Sequence, residues 1–230
     1  MGYHPYYTRE GGVPTLEMQI LVPIQEHNEF DFNILLIAER LQRDTSYIRM
    51  SREAYGRDPD FYIITRGIAC FERTLLSGQS RYDQFFFQGK SDALSAAEQR
   101  GMDLFFSEKT NCGVCHAGFN FSNYAFENNG LYESYADPGR FRLTGLETDR
   151  ARFKTPTLRN VALTSPYMHD GSLATLDAVI EHYDSGGKAH PQRSPLIKPL
   201  GLSPQEKTDL LRFLKALTDR EFIQNPKFRE

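Results

Sequence analysis

Apolar positions recur along this chain at helical spacing, and no alternating run is long enough to predict a sheet. Over Asp31 to Gln42, Phe32, Leu35, Leu36 and an isoleucine fall at helical spacing. From Phe61 to Leu76 the stripe is Ile64, Ile68, Phe71 and Leu75, which predicts that Cys70 is a small buried apolar residue. Ser95-Ala-Ala-Glu98 has the spacing of a capping box and opens a helix running towards Phe106. Ser203-Pro-Gln-Glu206 repeats the device with Pro204 in the first helical position, ahead of Leu210, Leu214 and Leu217. A further helix carries Leu176, Val179, Ile180 and Tyr183 on its inward face. Gly118 to Arg159, rich in Asn, Gly, Tyr and Arg, reads as a long loop with short elements. No internal repeat is evident. Phe85, Phe86 and Phe87 are expected to close a core edge. The fold class is all-α, with a break near Gly89-Lys90-Ser91 that separates residues 1–90 from 91–230.

Composition narrows the function classes. The 230 residues carry 27 Lys+Arg against 30 Asp+Glu, a net charge of −3, which argues against a nucleic-acid-binding surface spread over the whole protein. No apolar run approaches the roughly 20 residues of a membrane span. Three cysteines are too few for a disulfide scaffold. The first thirty residues show neither a basic n-region nor an apolar h-region, so no secretion signal is expected there.

Chemistry concentrates in Cys112-Gly113-Val114-Cys115-His116, the C-x-x-C-H signature of haem c attachment. Two thiols three positions apart can both reach the vinyl edge of one porphyrin, and the adjacent imidazole then falls beneath the iron. A thioredoxin-like redox pair would need a βαβ setting, and half of a zinc site would need another ligand pair. His4, His27, His169, His182 and His190 form no such pair. On the far side of the haem two residues compete. Met168, in the turn-like Pro166-Tyr-Met-His-Asp-Gly171, offers a thioether; Tyr183 offers a phenol from the inward face of its helix. An open or water-bound iron is the third possibility.

The motifs run in a distinctive order. Ala69-Cys-Phe-Glu-Arg-Thr-Leu75 precedes the C-x-x-C-H. Phe153-Lys-Thr-Pro-Thr-Leu-Arg-Asn160, Thr164-Ser-Pro-Tyr-Met-His-Asp-Gly171 and Thr175-Leu-Asp-Ala-Val-Ile-Glu-His-Tyr183 follow it. In that order they resemble the C-terminal haem domain of the bacterial di-haem cytochrome c peroxidases, and the tyrosine makes the methylamine-utilisation (MauG-type) branch the nearer match. The resemblance implies a cytochrome c-like haem domain over 91–230 and part of a second cytochrome c-like domain over 1–90. It implies one covalent haem c on Cys112 and Cys115, His116 as proximal ligand, and Tyr183 as distal ligand where the family's peroxidases place a methionine.

The family's second, peroxidatic haem has its own C-x-x-C-H, and this chain shows no second motif; it is expected to begin downstream of it. Gln19 and Glu29 match the family's pocket glutamine and acid–base glutamate. A carboxylate there would take a proton from bound hydrogen peroxide and return it to the leaving oxygen. The bland reading of the two is surface polarity at a helix entry. Tryptophan is absent, so the relatives' inter-haem relay residue has no counterpart, and Arg9 falls near its place. Thr164 and Pro166 match the carbonyls that bind a structural calcium in relatives. The His169–Asp170 pair suits either a shell around the haem or the stabilisation of its own loop.

The implied function is electron transfer coupled to hydrogen peroxide reduction, with an electron-donor protein or an oxidisable protein as partner. It would be a peroxidase if a second haem domain is supplied, and its compartment would be periplasmic. The alternatives are a single-haem electron-transfer cytochrome and a truncated, inactive fragment.

Overall fold

The expected helices form, and side-chain caps set where they start. The computed structural model describes residues 2–228, which divide into two units, Met1–Leu76 and Ser77–Glu230. In the first unit lie α1 (Leu16–Gln19), α2 (Leu21–Gln25), α3 (Ile34–Leu41), α4 (Thr45–Tyr55) and α5 (Phe61–Thr74). Tyr7, Leu16, Ile20, Ile24, Ile34, Ala38, Ile64 and Ala69 form its core, with α5 packed on α1 and α3. Asp60 caps α5 by accepting from the Ile63 amide at 2.9 Å.

The buried face of α5 is rotated from the expected stripe. Ile63, Ile64, Thr65 and Ala69 are buried, whereas Ile68 and Phe71 are exposed. Cys70 is exposed as well, which corrects the expectation of a buried thiol. The cause is close approach: Ala69 has no accessible surface, and a residue ending at Cβ lets the helix axis come nearer the core than Ile68 or Phe71 would.

The second unit holds α6 (Arg81–Phe86), α7 (Ala96–Phe105), α8 (Cys112–Cys115), α9 (Phe141–Thr144), α10 (Leu176–Asp184), α11 (Pro204–Ala216) and α12 (Arg220–Gln224). Both predicted capping boxes are present, at Ser95/Glu98 and Ser203/Glu206. A third, Ser80/Asp83, opens α6. The long loop carries only short elements. Among them, β1 (Phe126–Glu127) and β2 (Phe153–Lys154) pair antiparallel, Phe126 opposite Lys154. The core centres on Phe105, Phe121, Phe213 and Leu217 beside Tyr82, Leu176 and Ile180. Helices α7 and α11 cross at Gly101, where a Cβ would lie 2.0 Å from the Asp209 carbonyl oxygen.

The break therefore falls at Leu76/Ser77 rather than near Gly89. Tyr82 belongs to the second core, and Arg159 donates to both carboxylate oxygens of Asp83 at 2.8 Å, so α6 is fixed to that unit. Phe86 and Phe87 are more than half exposed and do not close a core edge; Tyr82 fills that role.

A repeat that the sequence reading did not register appears in three dimensions. Tyr7 pairs antiparallel with Val13, and Tyr167 pairs with Leu173 in the same way. Four residues beyond Tyr7, Gly11 has φ +79°, matched by Gly171 at +74°. Thr15 caps α1 as Thr175 caps α10, each hydroxyl accepting the amide three residues on. Leu16 and Ile20 then enter the first core as Leu176 and Ile180 enter the second. Extending the match, Pro23 stands where α10 carries Tyr183. Having no N–H, Pro23 cannot donate to the Gln19 carbonyl, and what is one helix in the second unit is divided into α1 and α2 in the first.

Candidate functional site: a haem c attachment centre

Helix α8 is a single turn that holds the two thiols. Asn111 enters it at φ +55°, and Gly113 lies against Phe106, whose ring carbon would be 2.5 Å from an added Cβ. Cys112 and Cys115 are half-buried and unbridged, and Cys112 packs against the second core. Burial pushes the Cys115 thiol up to about 11, with Glu127 and Cys112 adding to the effect, and burial raises Cys112 too. That is the reverse of a reactive redox thiolate. Among the described residues no three His, Cys, Asp or Glu side chains come together as a metal cage.

His116 follows the turn, and its Nδ1 lies 2.9 Å from the carbonyl oxygen of Phe121, a fully buried core residue. Donation from Nδ1–H would leave Nε2 as the lone-pair nitrogen, which is the state a metal requires. Burial lowers the imidazole below its ordinary range, opposed by the carbonyls of Phe121 and Pro156, so the ring is neutral near pH 7. Two free thiols, a neutral imidazole and a core-anchored Nδ1 fit a covalently attached haem.

Tyr183 and Met168 converge on one amide. Asn129 Nδ2 donates to Met168 Sδ at 3.2 Å and to Tyr183 Oη at 3.4 Å. Burial, opposed by the Asn129 bond, pushes the Tyr183 phenol up to about 12. Cys112 and Cys115 add to that shift. Met168 has φ +75°, unusual for a side-chain-bearing residue, but Thr8 at the matching place has +63°. The loop's own repeated geometry sets that backbone.

The other predicted residues are placed as follows. Gln19 sits on α1 with its Oε1 buried and without a hydrogen-bond partner. Glu29 lies on the exposed turn after α2, its amide bonded to the Glu26 carbonyl at 3.0 Å. Thr164 and Pro166 occupy an exposed turn. Asp170 accepts from Tyr132 Oη at 2.7 Å and from the Ser172 amide at 3.0 Å, and these bonds hold its carboxyl at about 2 against the opposing effect of burial. His169 stacks on Phe153 at 3.9 Å between centroids. In the first unit a cavity of about 550 Å³ is lined by Ile20, Pro23, Ile24, Phe30 and Phe32, among others. Pro23, the counterpart of Tyr183, thus borders open space. Sequence reading missed Asn129, whose surroundings in the chain, Glu127-Asn128-Asn129-Gly130, look like ordinary turn residues.

The sequence profile of the di-haem cytochrome c peroxidase family matches residues 1–92. The methylamine utilization protein MauG of Methylorubrum extorquens is 35% identical over 211 residues, covering 90% of this chain and 59% of that protein. The cytochrome-c peroxidase IdrP1 of Denitromonas iodatirespirans is 33% identical, covering 94% of this chain and 66% of that protein. The chain thus spans about three fifths to two thirds of these relatives. The crystal structure of a MauG-like protein associated with microbial copper homeostasis superposes with a TM-score of 0.91 at 36% identity, covering 98% of this chain and 75% of that one. On these matches this chain belongs to the di-haem cytochrome c peroxidase family.

Proposed function

We propose that this chain carries one haem c covalently held by Cys112 and Cys115, with His116 as proximal and Tyr183 as distal iron ligand, and that it serves hydrogen peroxide reduction. The observation that carries the reading is the C-x-x-C-H turn itself, two free half-buried thiols followed by an imidazole whose Nδ1 lies 2.9 Å from the Phe121 carbonyl oxygen, with Tyr183 and Met168 meeting at Asn129 as the candidate distal donors. When bound, the haem supplies an iron centre that exchanges single electrons at a potential set by its axial donors. The chain's own residues do the rest. Phe121 orients the proximal ring, the second core excludes water around Cys112, and α10 presents the phenol. A tyrosine rather than a thioether donor lowers the potential and suits peroxide chemistry better than simple electron shuttling.

The first unit supplies the proton chemistry in this reading. Residues 1–76 are part of a second cytochrome c-like domain, and Pro23 offers no donor where the second unit offers Tyr183. A site there stays open to a small substrate. Gln19, with an unsatisfied buried oxygen, orients that substrate, and the Glu29 carboxylate takes a proton from peroxide and returns it to the leaving oxygen. Electrons come from a donor protein, or from a protein partner that is itself oxidised. Covalent haem attachment places the protein in the periplasm, and the carbonyls of Thr164 and Pro166 are the candidate calcium ligands. No described helix is long and apolar enough to cross a membrane.

The test is peroxide consumption by a form that carries both haems, driven by a reduced electron donor. Glu29→Gln is expected to lower turnover by about 10²–10⁴-fold at unchanged haem content. A variant as active as the parent removes Glu29 from the reaction.

A further inference from the structure

Asn129 touches both candidate distal donors. Its Nδ2 lies 3.2 Å from Met168 Sδ and 3.4 Å from Tyr183 Oη, and its carbonyl lies 3.1 Å from Nε2 of His182, the neighbour of Tyr183. One residue therefore engages α10 through backbone and side chain, and also engages the loop that bears Met168. The segment around it is fixed. Asn128 is almost fully buried, and its Oδ1 accepts from the Gly130 amide at 2.8 Å and from Tyr135 Oη at 3.1 Å. Gly130, at φ +69°, has no room for a Cβ, which would meet Arg193 Cδ at 2.8 Å and the Lys188 carbonyl oxygen at 3.0 Å.

We propose that Asn129 is a positioning residue that decides which donor reaches the axial position, presenting Tyr183 and holding the Met168 thioether back. The two donors differ in freedom. Methionine turns about three side-chain bonds and adapts to whatever gap is offered, whereas tyrosine has two. Tethering the sulfur to a fixed amide removes the freedom that would let it compete. A thioether is a weak acceptor with little capacity to spare, while a phenol oxygen can accept from Asn129 and still present a lone pair. The loop backbone does not make this choice, because Thr8 in the first unit has the same left-handed conformation as Met168. What the second unit has is both donors and one amide bonded to each of them.

The inference rests on Tyr183 as distal ligand, so its test includes a Tyr183→Phe arm. Matured holoproteins of the parent, Tyr183→Phe, Asn129→Leu, Met168→Leu and the Asn129→Leu/Met168→Leu double variant are compared by visible and near-infrared absorption and by redox titration. Tyr183→Phe is expected to change the parent spectrum. Asn129→Leu is expected to show the sulfur-to-iron band and a raised potential, the ratio of tyrosine- to thioether-ligated protein falling about tenfold, which corresponds to roughly one hydrogen bond. Met168→Leu in that background abolishes both changes. Asn129→Ala, which leaves the backbone carbonyl to His182 in place, gives the same result if the leucine variant folds poorly.

A parent-like spectrum and potential in the Asn129 variants, with Tyr183→Phe altered, overturns the inference and spares the ligand assignment. So does a change that survives Met168→Leu. A silent Tyr183→Phe overturns the ligand assignment itself, and the inference with it.

Discussion

At the scale of single residues, the second unit holds a buried ion pair beside its aromatic core. Asp83 and Arg159 are almost fully buried and joined by two bonds of 2.8 Å, and Asp83 also accepts from Ser80 Oγ at 2.6 Å. Removing one partner leaves a buried charge uncompensated, so Asp83→Asn is expected to cost about 3–5 kcal/mol in urea unfolding at pH 7. Burial alone would raise the Asp83 carboxyl, but Arg159 and Ser80 outweigh it and hold the group below the ordinary carboxylate range. Its folded value being the lower one, its contribution is complete above the unfolded value of about 3.9 and is lost as pH falls through the folded value. The parent should therefore lose stability on acidification below about pH 4 more steeply than Asp83→Asn does. Equal slopes would show that this carboxyl carries no pH-linked stability. Of this pair the sequence showed only the charges, because partners so far apart along the chain are joined by tertiary packing that no local pattern encodes.

At the scale of elements, legibility followed the range of the interactions involved. Capping boxes at Ser95 and Ser203 are four-residue devices, and the helices they open were readable to within a residue. The face that α5 buries was not readable, since Ile64–Ile68–Phe71–Leu75 and the observed Ile64–Thr65–Ala69 face are both helical stripes. The choice between them depends on how close the neighbouring helices come. The repeat was invisible for a related reason: it preserves a Tyr, a turn Gly, a Thr cap and two apolar anchors while almost every intervening residue differs. Close approach is testable at Gly101, where α7 meets the Asp209 carbonyl of α11. Gly101→Ala must separate the two helices and is expected to cost at least about 1–3 kcal/mol in thermal or urea unfolding, despite alanine's better helix propensity. A neutral or stabilising effect would mean that the crossing is looser than the structure has it.

At the scale of the whole molecule, the two units carry the same loop and cap but different side chains at the decisive place, Tyr183 in one and Pro23 in the other. In the second unit the proposed haem-attachment residues stand out in the sequence as Cys112-Gly-Val-Cys-His116, because covalent attachment would impose a fixed local spacing. Asn129 does not, since its importance arises only when α10 and the loop before it meet. Everything proposed for this protein presupposes that Cys112 and Cys115 hold a haem. The most direct measurement is the reduced pyridine haemochrome spectrum of the protein produced in a host with haem c maturation, alongside Cys112→Ser/Cys115→Ser. One c-type haem per C-x-x-C-H of the parent chain, resistant to acid–organic extraction and absent from the double variant, is the predicted result. A parent chain that emerges from that host without covalent haem would contradict the account at its root.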